Sequence, residues 1–419
     1  MHYISKTDSH DWIACSDCDV LHPVIDIPAG NKAVCSRCGS ELYRHVKNSI
    51  DKVVAFAVSA LLFLILSHIF PFLTMQLGGR SEQNILLSAT LELMEQGFYE
   101  LAVLVFVTSI LAPILVIIGM LYIYVPLKLG HQAWAVHKVF RYVKKLLPWS
   151  LIGVFMLGVL IAIVKLMDMA SVIPGISLFS MIGLLITMVA INANLDERII
   201  WGQSSLLHDH DLSDVDGYDH DMISCHCCQL LMDKKYESFS CPRCNEKLHF
   251  RKSNSIARTW ALLLTAAMLY IPANVYPIMT FINFGQGQPD TIMSGVNSLI
   301  DSGFWGLALL VFVASILVPV IKLMVLAYLL LSIQFSSCWR PKDRTVLFRI
   351  TEFIGVWSML DIFLIGILIS LVKLDALATI EVETGASYFA AVVVITLFAA
   401  RSFEPRMIWD KCKDKYESK

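Results

Sequence analysis

Eight stretches of the chain are almost continuously apolar, and polar segments separate them. At about 1.5 Å per helical residue, a stretch of about twenty residues crosses a hydrocarbon core of about 30 Å. A shorter stretch, 84–96, mixes leucine with Glu92 and Glu95, which is typical of an interfacial or re-entrant helix. We predict membrane-spanning helices at residues 53–75, 98–124, 149–167, 174–191, 257–281, 304–333, 353–374 and 388–400.

The second and sixth stretches share a nearly identical segment, LAVLVFVTSILAPIL in one and LALLVFVASILVPVI in the other. Ten of the fifteen positions are identical, and the two copies lie 206 residues apart. Pro71 and Pro277 keep that spacing, whereas Trp201 and Trp409 lie 208 residues apart. The chain is therefore a tandem duplication of one unit, and the two copies differ in the lengths of their loops.

The composition and the placement of charge define the class of protein. The chain is 56% hydrophobic and 16% charged, with a mean hydropathy of +0.65, whereas soluble domains are about 45–50% apolar. Lys and Arg cluster in residues 126–147 and 340–349, and Arg80 is the only basic residue in the predicted outer loops. By the positive-inside rule, both termini lie in the cytoplasm. Because each half crosses four times, we expect a pseudo-twofold axis along the membrane normal.

A pair of Cys-x-x-Cys motifs precedes each set of four spans. Four thiolates in this arrangement are typical of a tetrahedral structural zinc site. The third motif, CHCC, has two possible registers, and its match to the first half favours Cys225 and Cys228 over Cys227. A disulfide or a redox-active dithiol would use the same residues, although a cytoplasmic compartment keeps thiols reduced. We predict two structural zinc ions, bound by Cys15, Cys18, Cys35, Cys38, Cys225, Cys228, Cys241 and Cys244.

These patterns predict an all-α polytopic membrane protein, built as a tandem duplication of a four-helix transmembrane unit. A small cytosolic zinc ribbon precedes each unit. The segment between the halves is rich in Asp and His, and we interpret it as a solvated tether, with metal delivery as the alternative. The predicted divisions are the first ribbon at 1–47, the first unit at 48–201, the linker at 202–224, the second ribbon at 225–250, the second unit at 251–410 and a basic tail at 411–419.

Charged residues within the spans are costly, so each is a hypothesis for a functional site. Lys165 and Lys373 each follow the Trp-Ser pair of their own repeat by sixteen residues. Asp168 lies one helical turn beyond Lys165 and is able to pair with it, whereas Asp375 lies off the face of Lys373. At about 24 Å from the Trp-Ser pair, the lysines either snorkel to the outer surface or line a substrate or proton path.

Asp361 lies deeper, in the cytoplasmic third of its span, and its repeat counterpart is Gly153. This asymmetry favours a specific role over a packing role that both halves share.

The proline-broken ends of the first and fifth spans are a further hypothesis for a substrate path. Prolines interrupt the backbone hydrogen bonds of a helix, and the freed groups must either line a cavity or be covered by protein. Both alternatives stay open. The residues concerned are Ser67, Pro71, Asn274 and Pro277.

Several motifs occur together along the chain. They are the paired Cys-x-x-Cys ribbons, the Asn-Ser-Ile entry into the first span, the proline-ended segment IPANVYPIM, a Ser-Ile-Leu-x-Pro second span and a Trp-Ser-Met-x-Asp third span. In this combination the chain resembles the paraquat-inducible protein A family over nearly its whole length. The resemblance implies an inner-membrane component of a bacterial envelope lipid transport system, which works beside a periplasmic MCE-domain protein that forms a hydrophobic tunnel.

We therefore expect a component that moves phospholipid or another lipophile between the inner membrane and a periplasmic MCE tunnel protein. Its expected partners are that protein, phospholipids and the membrane, and no nucleic acid. The alternative is a membrane redox or stress-sensing protein whose Cys-x-x-Cys thiols react. The chain contains no G-x-x-x-x-G-K-[ST], H-E-x-x-H or G-x-S-x-G motif, and we expect no enzymatic activity.

Overall fold

The structure is a computed structural model that describes residues 12–77, 80–131, 133–167, 171–202, 222–283, 286–371 and 378–410. Within these residues, eight helical segments are long and apolar enough to cross a membrane, four in each half. The predicted fold class is thereby confirmed. The segments are Ser49–Ile69, Tyr99–Lys128, Val136–Val164, Ile176–Asn194, Ser255–Val275, Trp305–Gln334, Pro341–Leu371 and Thr384–Ser402.

The first half starts with a small ribbon of strands, and helices follow. Its described elements are β1 (Trp12–Ala14), β2 (Leu21–Pro23), β3 (Lys32–Val34), β4 (Glu41–Arg44), α1 (Ser49–Ile69), β5 (Leu73–Leu77), β6 (Arg80–Asn84), α2 (Ser88–Glu95), α3 (Tyr99–Phe106), α4 (Ala112–Lys128), α5 (Val136–Leu146), α6 (Ile152–Met167), β7 (Ser171–Pro174), α7 (Ile176–Asn194) and α8 (Glu197–Trp201).

The second half repeats this order. Its described elements are β8 (Met222–Ser224), β9 (Leu231–Asp233), α9 (Ser255–Val275), β10 (Met279–Asn283), β11 (Gln286–Asp290), α10 (Ile292–Asp301), α11 (Trp305–Phe312), α12 (Val318–Gln334), α13 (Pro341–Gly355), α14 (Leu360–Leu371), β12 (Ala378–Val382), α15 (Thr384–Ser402) and α16 (Met407–Asp410).

The first helix of each half ends where a proline follows. Phe70 and Tyr276 have extended backbones, with ψ of 154° and 147°, because the ring of the next proline disfavours the helical conformation. Helices α1 and α9 therefore end instead of bending, and the chain continues as β5 and β10. The predicted spans 53–75 and 257–281 were too long, since their last apolar residues lie in strands.

A three-stranded antiparallel sheet covers the far end of each unit, opposite the ribbons. The central strand β5 pairs with β6 and β7, and β10 pairs in the same way with β11 and β12. Each sheet joins the end of the first helix of its unit to the start of the fourth. The joint is tight, because a Cβ on Gly175 or Gly385 would overlap the carbonyl oxygen of Pro71 or Pro277.

A π-helical turn precedes the proline in the second span of each half, at Val107–Leu111 and Val313–Leu317. Pro113 and Pro319 lack the N–H group that a regular α-helical hydrogen bond needs, and the wider turn accommodates this loss. In the third spans, the amphipathic helices α5 and α13 run into α6 and α14 through 3₁₀ turns at Leu147–Trp149 and Val356–Met359. The helical segments therefore start before the predicted spans 149–167 and 353–374, and the charged helices α5 and α13 form their first parts on the side of the ribbons.

The two units meet through helix α14 of the second half, which packs against α6, α2 and α3 of the first. Phe363 makes an edge-to-face contact with Phe155 of α6, with ring centroids 5.5 Å apart, and a Cβ on Gly158 would lie 3.3 Å from Phe363 Cβ. All twelve residues of α14 are buried. This helix therefore lies at the centre of the molecule.

Candidate metal centres and intramembrane polar site

Two clusters of four buried cysteines lie at the end of the molecule where α1 and α9 begin. The first ribbon (residues 12–44) contains one cluster, and the second ribbon (residues 222–250) contains the other. Within each cluster, all four sulfur atoms lie within 4.8 Å of one another. The clusters are Cys15, Cys18, Cys35 and Cys38 in the first ribbon, and Cys225, Cys228, Cys241 and Cys244 in the second.

Each Cys-x-x-Cys motif forms a tight turn that closes on its own first cysteine. In the first ribbon, the N–H groups of Asp19 and Gly39 donate to the carbonyls of Cys15 and Cys35. The residue after each second cysteine adopts positive φ, at 63° for Asp19 and 73° for Gly39. Gln229 and Asn245 do the same in the second ribbon, with φ of 59° each. Gly, Asn and Asp tolerate this conformation best.

The sulfur geometry fits a tetrahedral metal ion. A zinc–sulfur distance of about 2.3 Å gives sulfur–sulfur separations of about 3.8 Å. The closest pairs are Cys15–Cys38, Cys18–Cys35 and Cys225–Cys244, each at 3.5 Å, and Cys228–Cys241 at 3.6 Å. Hydrogen bonds from Cys15 and Cys18 lower the pKa of the Cys38 thiol to about 6. Each cluster thus offers four buried sulfur atoms, and sulfur in its thiolate form is the donor that soft transition metals prefer.

Polar side chains surround the first cluster. Ser40 Oγ lies 2.9 Å from Cys15 Sγ and 3.0 Å from Cys38 Sγ, and His22 Nε2 lies 3.3 Å from Cys35 Sγ. Such outer contacts orient the ligands of a metal site.

The extra cysteine and histidine of the third motif lie outside the second cluster. Cys227 is buried and its thiol hydrogen-bonds the thiol of Cys244, but it is not one of the four sulfurs that lie within 4.8 Å of one another. His226 Nε2 lies 3.0 Å from Arg406 Nη2. The four sulfurs that come together are those of the register that aligns with the first half.

Each ribbon packs its metal-binding turns on the membrane unit of the other half. The first ribbon lies on the second unit, where Arg349 Nη2 donates to the carbonyl of Cys38 at 2.7 Å and Arg349 Nε lies 3.2 Å from Asp17 Oδ2. The guanidinium of Arg37 stacks over Trp409, 4.4 Å from the ring centre. The first cysteine cluster thus shares a buried apolar cluster with α12, α13 and α15.

The second ribbon lies on the first unit in the same manner. Arg141, the repeat counterpart of Arg349, donates from Nη1 to the carbonyls of Cys244 and Asn245 at 3.2 and 2.9 Å. Lys145 Nζ binds Glu246 at 3.0 Å. Sequence analysis missed this crossed arrangement, because a repeat shows which segments are equivalent and not which copies are in contact.

A buried ionic network connects the two ribbons to the end of the second unit. Arg406 pairs with Glu404 at 2.7 Å and lies 3.4 Å from Asp19, while Arg251 pairs with Asp19 at 2.8 Å and with Asp410 at 2.6 Å. Burial would raise the pKa of Glu404, but the hydrogen bonds and charge of Arg406 outweigh it and lower that pKa. Complementary pairing of this kind allows charges to be buried.

Asp361 lies in the first turn of α14, where its side chain is buried at the centre of the helix bundle. Ser315, in the π-helical turn of the second span, lies beside it. Ser315 Oγ is a hydrogen-bond partner of the Asp361 carboxyl group, whereas among the described residues Asp361 Oδ2 and the nearby Ser358 Oγ have none. Buried polar atoms are nearly always paired, so such a group calls for a ligand, an ion or a proton.

Lys322 is a second buried charge in this region, and sequence analysis missed it. Its side chain is 2% exposed, and its Nζ has no hydrogen-bond partner in the described part of the chain. The ammonium fits against Gly355, where a Cβ would lie 2.7 Å from Nζ. The available signal was a lysine within the apolar run VPVIKLMVL, at a position where the first half has Val116. We call Ser315, Lys322, Ser358 and Asp361 the intramembrane polar site.

Ser67, Pro71, Asn274 and Pro277 lie at the helix ends near the far-side sheets, and other protein groups satisfy their polar atoms. The carbonyl of Ser67 accepts a hydrogen bond from Ser177 Oγ at 2.6 Å, and Asn274 Nδ2 donates to the carbonyl of Tyr270 at 2.8 Å. The carbonyl of Pro277 accepts from the N–H of Gly385 at 3.0 Å. Protein groups thus pair with these polar atoms, and a role of these residues in a substrate path stays a prediction.

The structure describes little of the remaining residues that we predict for a substrate or proton path. Lys165 lies in the last turn of α6, but its side chain is outside the described part of the structure. Asp168, Lys373 and Asp375 lie outside the described residues. Their roles stay predictions.

Comparison with known proteins identifies relatives along the whole chain. The sequence model of a family described as Paraquat-inducible protein A matches residues 50–205 and 256–413. The chain is 32% identical over 414 residues to the Intermembrane transport protein PqiA of Escherichia coli (strain K12), covering 95% of both proteins. It is 30% identical over 401 residues to the Lipophilic envelope-spanning tunnel protein A of the same strain, covering 96% of this chain and 91% of the relative.

A Probable intermembrane transport protein of Haemophilus influenzae is 26% identical over 407 residues, with 95% of both proteins covered. No solved structure matches the chain significantly. The two segments that match the family coincide with the two four-helix units, which confirms the resemblance seen in the sequence. This multi-pass membrane protein therefore belongs to the paraquat-inducible protein A family.

Proposed function

We propose that the protein is an integral component of an envelope lipid transport system. It moves phospholipid or another lipophile between the bacterial inner membrane and a periplasmic MCE-domain tunnel protein. The names of two relatives support this role, since one is called an intermembrane transport protein and the other a lipophilic envelope-spanning tunnel protein. The proposed activity is transport and not catalysis.

In this proposal, both termini and both ribbons lie in the cytoplasm, and the far-side sheets face the periplasm. The basic loops at 126–147 and 340–349 support this orientation through the positive-inside rule. The MCE-domain partner then meets the ends of the spans that carry the sheets.

The observation that carries the proposal is the intramembrane polar site. A charge within the hydrocarbon core costs several kcal/mol, and such residues mark substrate, ion or proton paths. A unit with only a scaffold role does not need these two charges. The first half lacks them, since it has Val116 in place of Lys322 and Gly153 in place of Asp361. We assign Lys322 and Asp361 to the passage of a lipid headgroup or of a proton. Lys165, Asp168, Lys373 and Asp375 would extend this path outward.

We further propose that the two cysteine clusters bind structural zinc, which stabilises the ribbons and, through the crossed contacts, holds the two units together. Zinc binding contributes directly to folding in domains too small for a hydrophobic core. The burial of all eight sulfurs supports a structural site over the alternative of a reactive dithiol. About two zinc ions per chain, retained under mild oxidant, would exclude the redox alternative.

Mass spectrometry of the full-length protein, purified in a mild membrane mimetic, tests the transport proposal. We expect phospholipid and a periplasmic MCE-domain protein to co-purify with the wild type. We expect Lys322→Met to retain the partner protein but to lose most of the bound lipid. Co-purification of neither lipid nor an MCE-domain protein would contradict the proposal.

A further inference from the structure

A cavity of about 750 Å³ lies between the first unit and both ribbons. This volume is typical of small-molecule sites, which span about 300–1,000 Å³. Leu147 and Leu195 line the cavity from the ribbon-side ends of the membrane helices. Basic side chains reach it from three separate parts of the molecule, namely Arg44 from the first ribbon, Lys144 and Arg198 from the first unit, and Arg243 from the second ribbon.

The charges of the cavity wall do not balance. Each acidic residue of the wall already has a basic neighbour within the wall. Arg243, in contrast, has no acidic partner among the described residues, and its buried Nε has no hydrogen-bond partner; Arg198 Nε also has none. The existing pairs are Glu41–Arg44 at 2.6 Å, Glu197–Lys144 at 2.6 Å and Asp196–Arg198 at 3.9 Å.

The equivalent place in the second half is closed by protein. Arg198 and Asp196 correspond, at 208 residues, to Arg406 and Glu404. Arg406 is 4% exposed, and Glu404, Asp19 and His226 surround its guanidinium. Arg198 instead stacks over Tyr43, 4.4 Å from the ring centre, lies 3.9 Å from Asp196 and lines the cavity.

Arg243 shows the same contrast between the halves. Its counterpart in the first ribbon is Arg37, 206 residues earlier, whose guanidinium stacks on Trp409. In the first half, the counterpart of Trp409 is Trp201, whose ring stacks on His137 at 5.7 Å. Arg243 is therefore held at the cavity wall without the aromatic partner that its counterpart has.

We propose that this cavity binds a phosphate-bearing ligand, with Arg243 and Arg198 as its phosphate-binding residues. Planar guanidinium groups are the side chains best suited to phosphate, because they donate two parallel hydrogen bonds. The leucines beside them provide an apolar wall next to the membrane surface. A phospholipid headgroup of the adjacent leaflet and a soluble phosphorylated compound share this chemistry. The inference rests on the cavity alone and does not depend on the transport proposal.

Two binding measurements on the full-length, metal-loaded protein separate the sources. One is equilibrium dialysis with radiolabelled inorganic phosphate and glycerol 3-phosphate. The other is native mass spectrometry with phosphatidylglycerol, using diacylglycerol as a control that lacks phosphate. We expect Arg243→Gln and Arg198→Gln each to weaken binding about tenfold or more, because each removes hydrogen bonds to a charged group. Arg37→Gln is the matched control and should bind as the wild type does.

Retention of phosphatidylglycerol alone would identify a lipid headgroup, and binding of the soluble probes would identify a soluble phosphate compound; both support the site. Failure of the wild type to bind any phosphate-bearing probe would overturn the proposal. An equal loss in Arg37→Gln and Arg243→Gln would overturn it as well. Because Arg243 lies inside a metal-binding turn, the metal content of each variant is measured in parallel. If Arg243→Gln loses its metal, the phosphate binding of Arg198→Gln tests the proposal instead.

Discussion

The third span has the same place in both repeats but a different environment in each. In the second half, 83% of an eighteen-residue apolar stretch of this span is buried inside the molecule, against 44% in the first. Helix α14 packs between elements of the first unit and carries Asp361, where α6 has Gly153. One copy of the span thus forms an outer part of the bundle, and the other forms its polar centre.

The ribbons show the opposite behaviour, because both copies keep their four cysteines, their positive-φ turns and their arginine contacts. Features that stabilise the molecule are present twice, whereas the intramembrane charges Lys322 and Asp361 are present once. The difference teaches that the shared scaffold does not require the costly polar groups, which one half has and the other does without.

The largest expected effect comes from removing one metal ligand from either ribbon. Cys35→Ser and Cys241→Ser should each reduce bound zinc from about two ions to about one per chain, since zinc binding is worth about 10 kcal/mol or more in small domains. Because the ribbons are crossed, Cys35→Ser should increase hydrogen exchange in α13 and α16, and Cys241→Ser in α5 and α8. An increase confined to the half that carries the mutation would show that the crossed contacts are wrong.

An exchange of residues between the halves tests the cost of the buried charge. Val116→Lys should lower the free energy of unfolding by about 3 kcal/mol or more, because Val116 is fully buried in a span. Lys322→Val should leave that free energy unchanged or raise it. Chemical unfolding in the same membrane mimetic measures both, and a large loss of stability in Lys322→Val would assign a structural role to the lysine.

The joint between the first and fourth helices of the second unit depends on a glycine. Gly385→Ala should lower the free energy of unfolding by about 2–3 kcal/mol, because the new Cβ would overlap the carbonyl oxygens of Tyr276 and Pro277. Gly295→Ala in α10 is the control, since no atom lies within 4 Å of its Cβ position, and it should stabilise by up to about 1 kcal/mol. Thermal unfolding of both variants provides the comparison, and equal stabilities would refute the tight joint.

The smallest expected effect concerns a surface ion pair that only the first half has. Lys128 and Asp51 lie 3.0 Å apart and are at least half exposed, and their counterparts at 206 residues are Gln334 and Ala257. Asp51→Asn should change the free energy of unfolding by about 0.5 kcal/mol or less, because exposed pairs contribute little. A loss above about 1 kcal/mol in the same unfolding measurement would mean that this pair holds α1 to α4.

The sequence was sufficient for features that follow from local patterns. Apolar length predicted the eight spans, and cysteine spacing predicted which sulfurs come together. The far-side sheets were missed because the first residues of β5 and β10, LTM and MTF, extend the apolar runs of the helices before them, and a window of hydropathy does not separate the two. The proline that ends each helix was the available signal.

Long-range packing was beyond what a single sequence shows. The repeat spacing established that Arg141 and Arg349 are equivalent, but it did not indicate that each contacts the ribbon of the other half. Lys322 was overlooked for a related reason, since one lysine barely changes the hydropathy of its span. Lys322 is identified only when it is compared with its repeat counterpart Val116 and its side chain is seen to be buried.

Transfer of a labelled phospholipid from membranes containing the protein to the proposed periplasmic MCE-domain partner tests the central claim most directly, namely that the polar site of the second half is the working site. We expect Lys322→Met and Asp361→Asn to reduce the rate about tenfold or more while the protein stays folded. Ser109→Ala, at the first-half counterpart of Ser315, should transfer lipid at nearly the wild-type rate. Wild-type transfer by both Lys322→Met and Asp361→Asn would contradict the account.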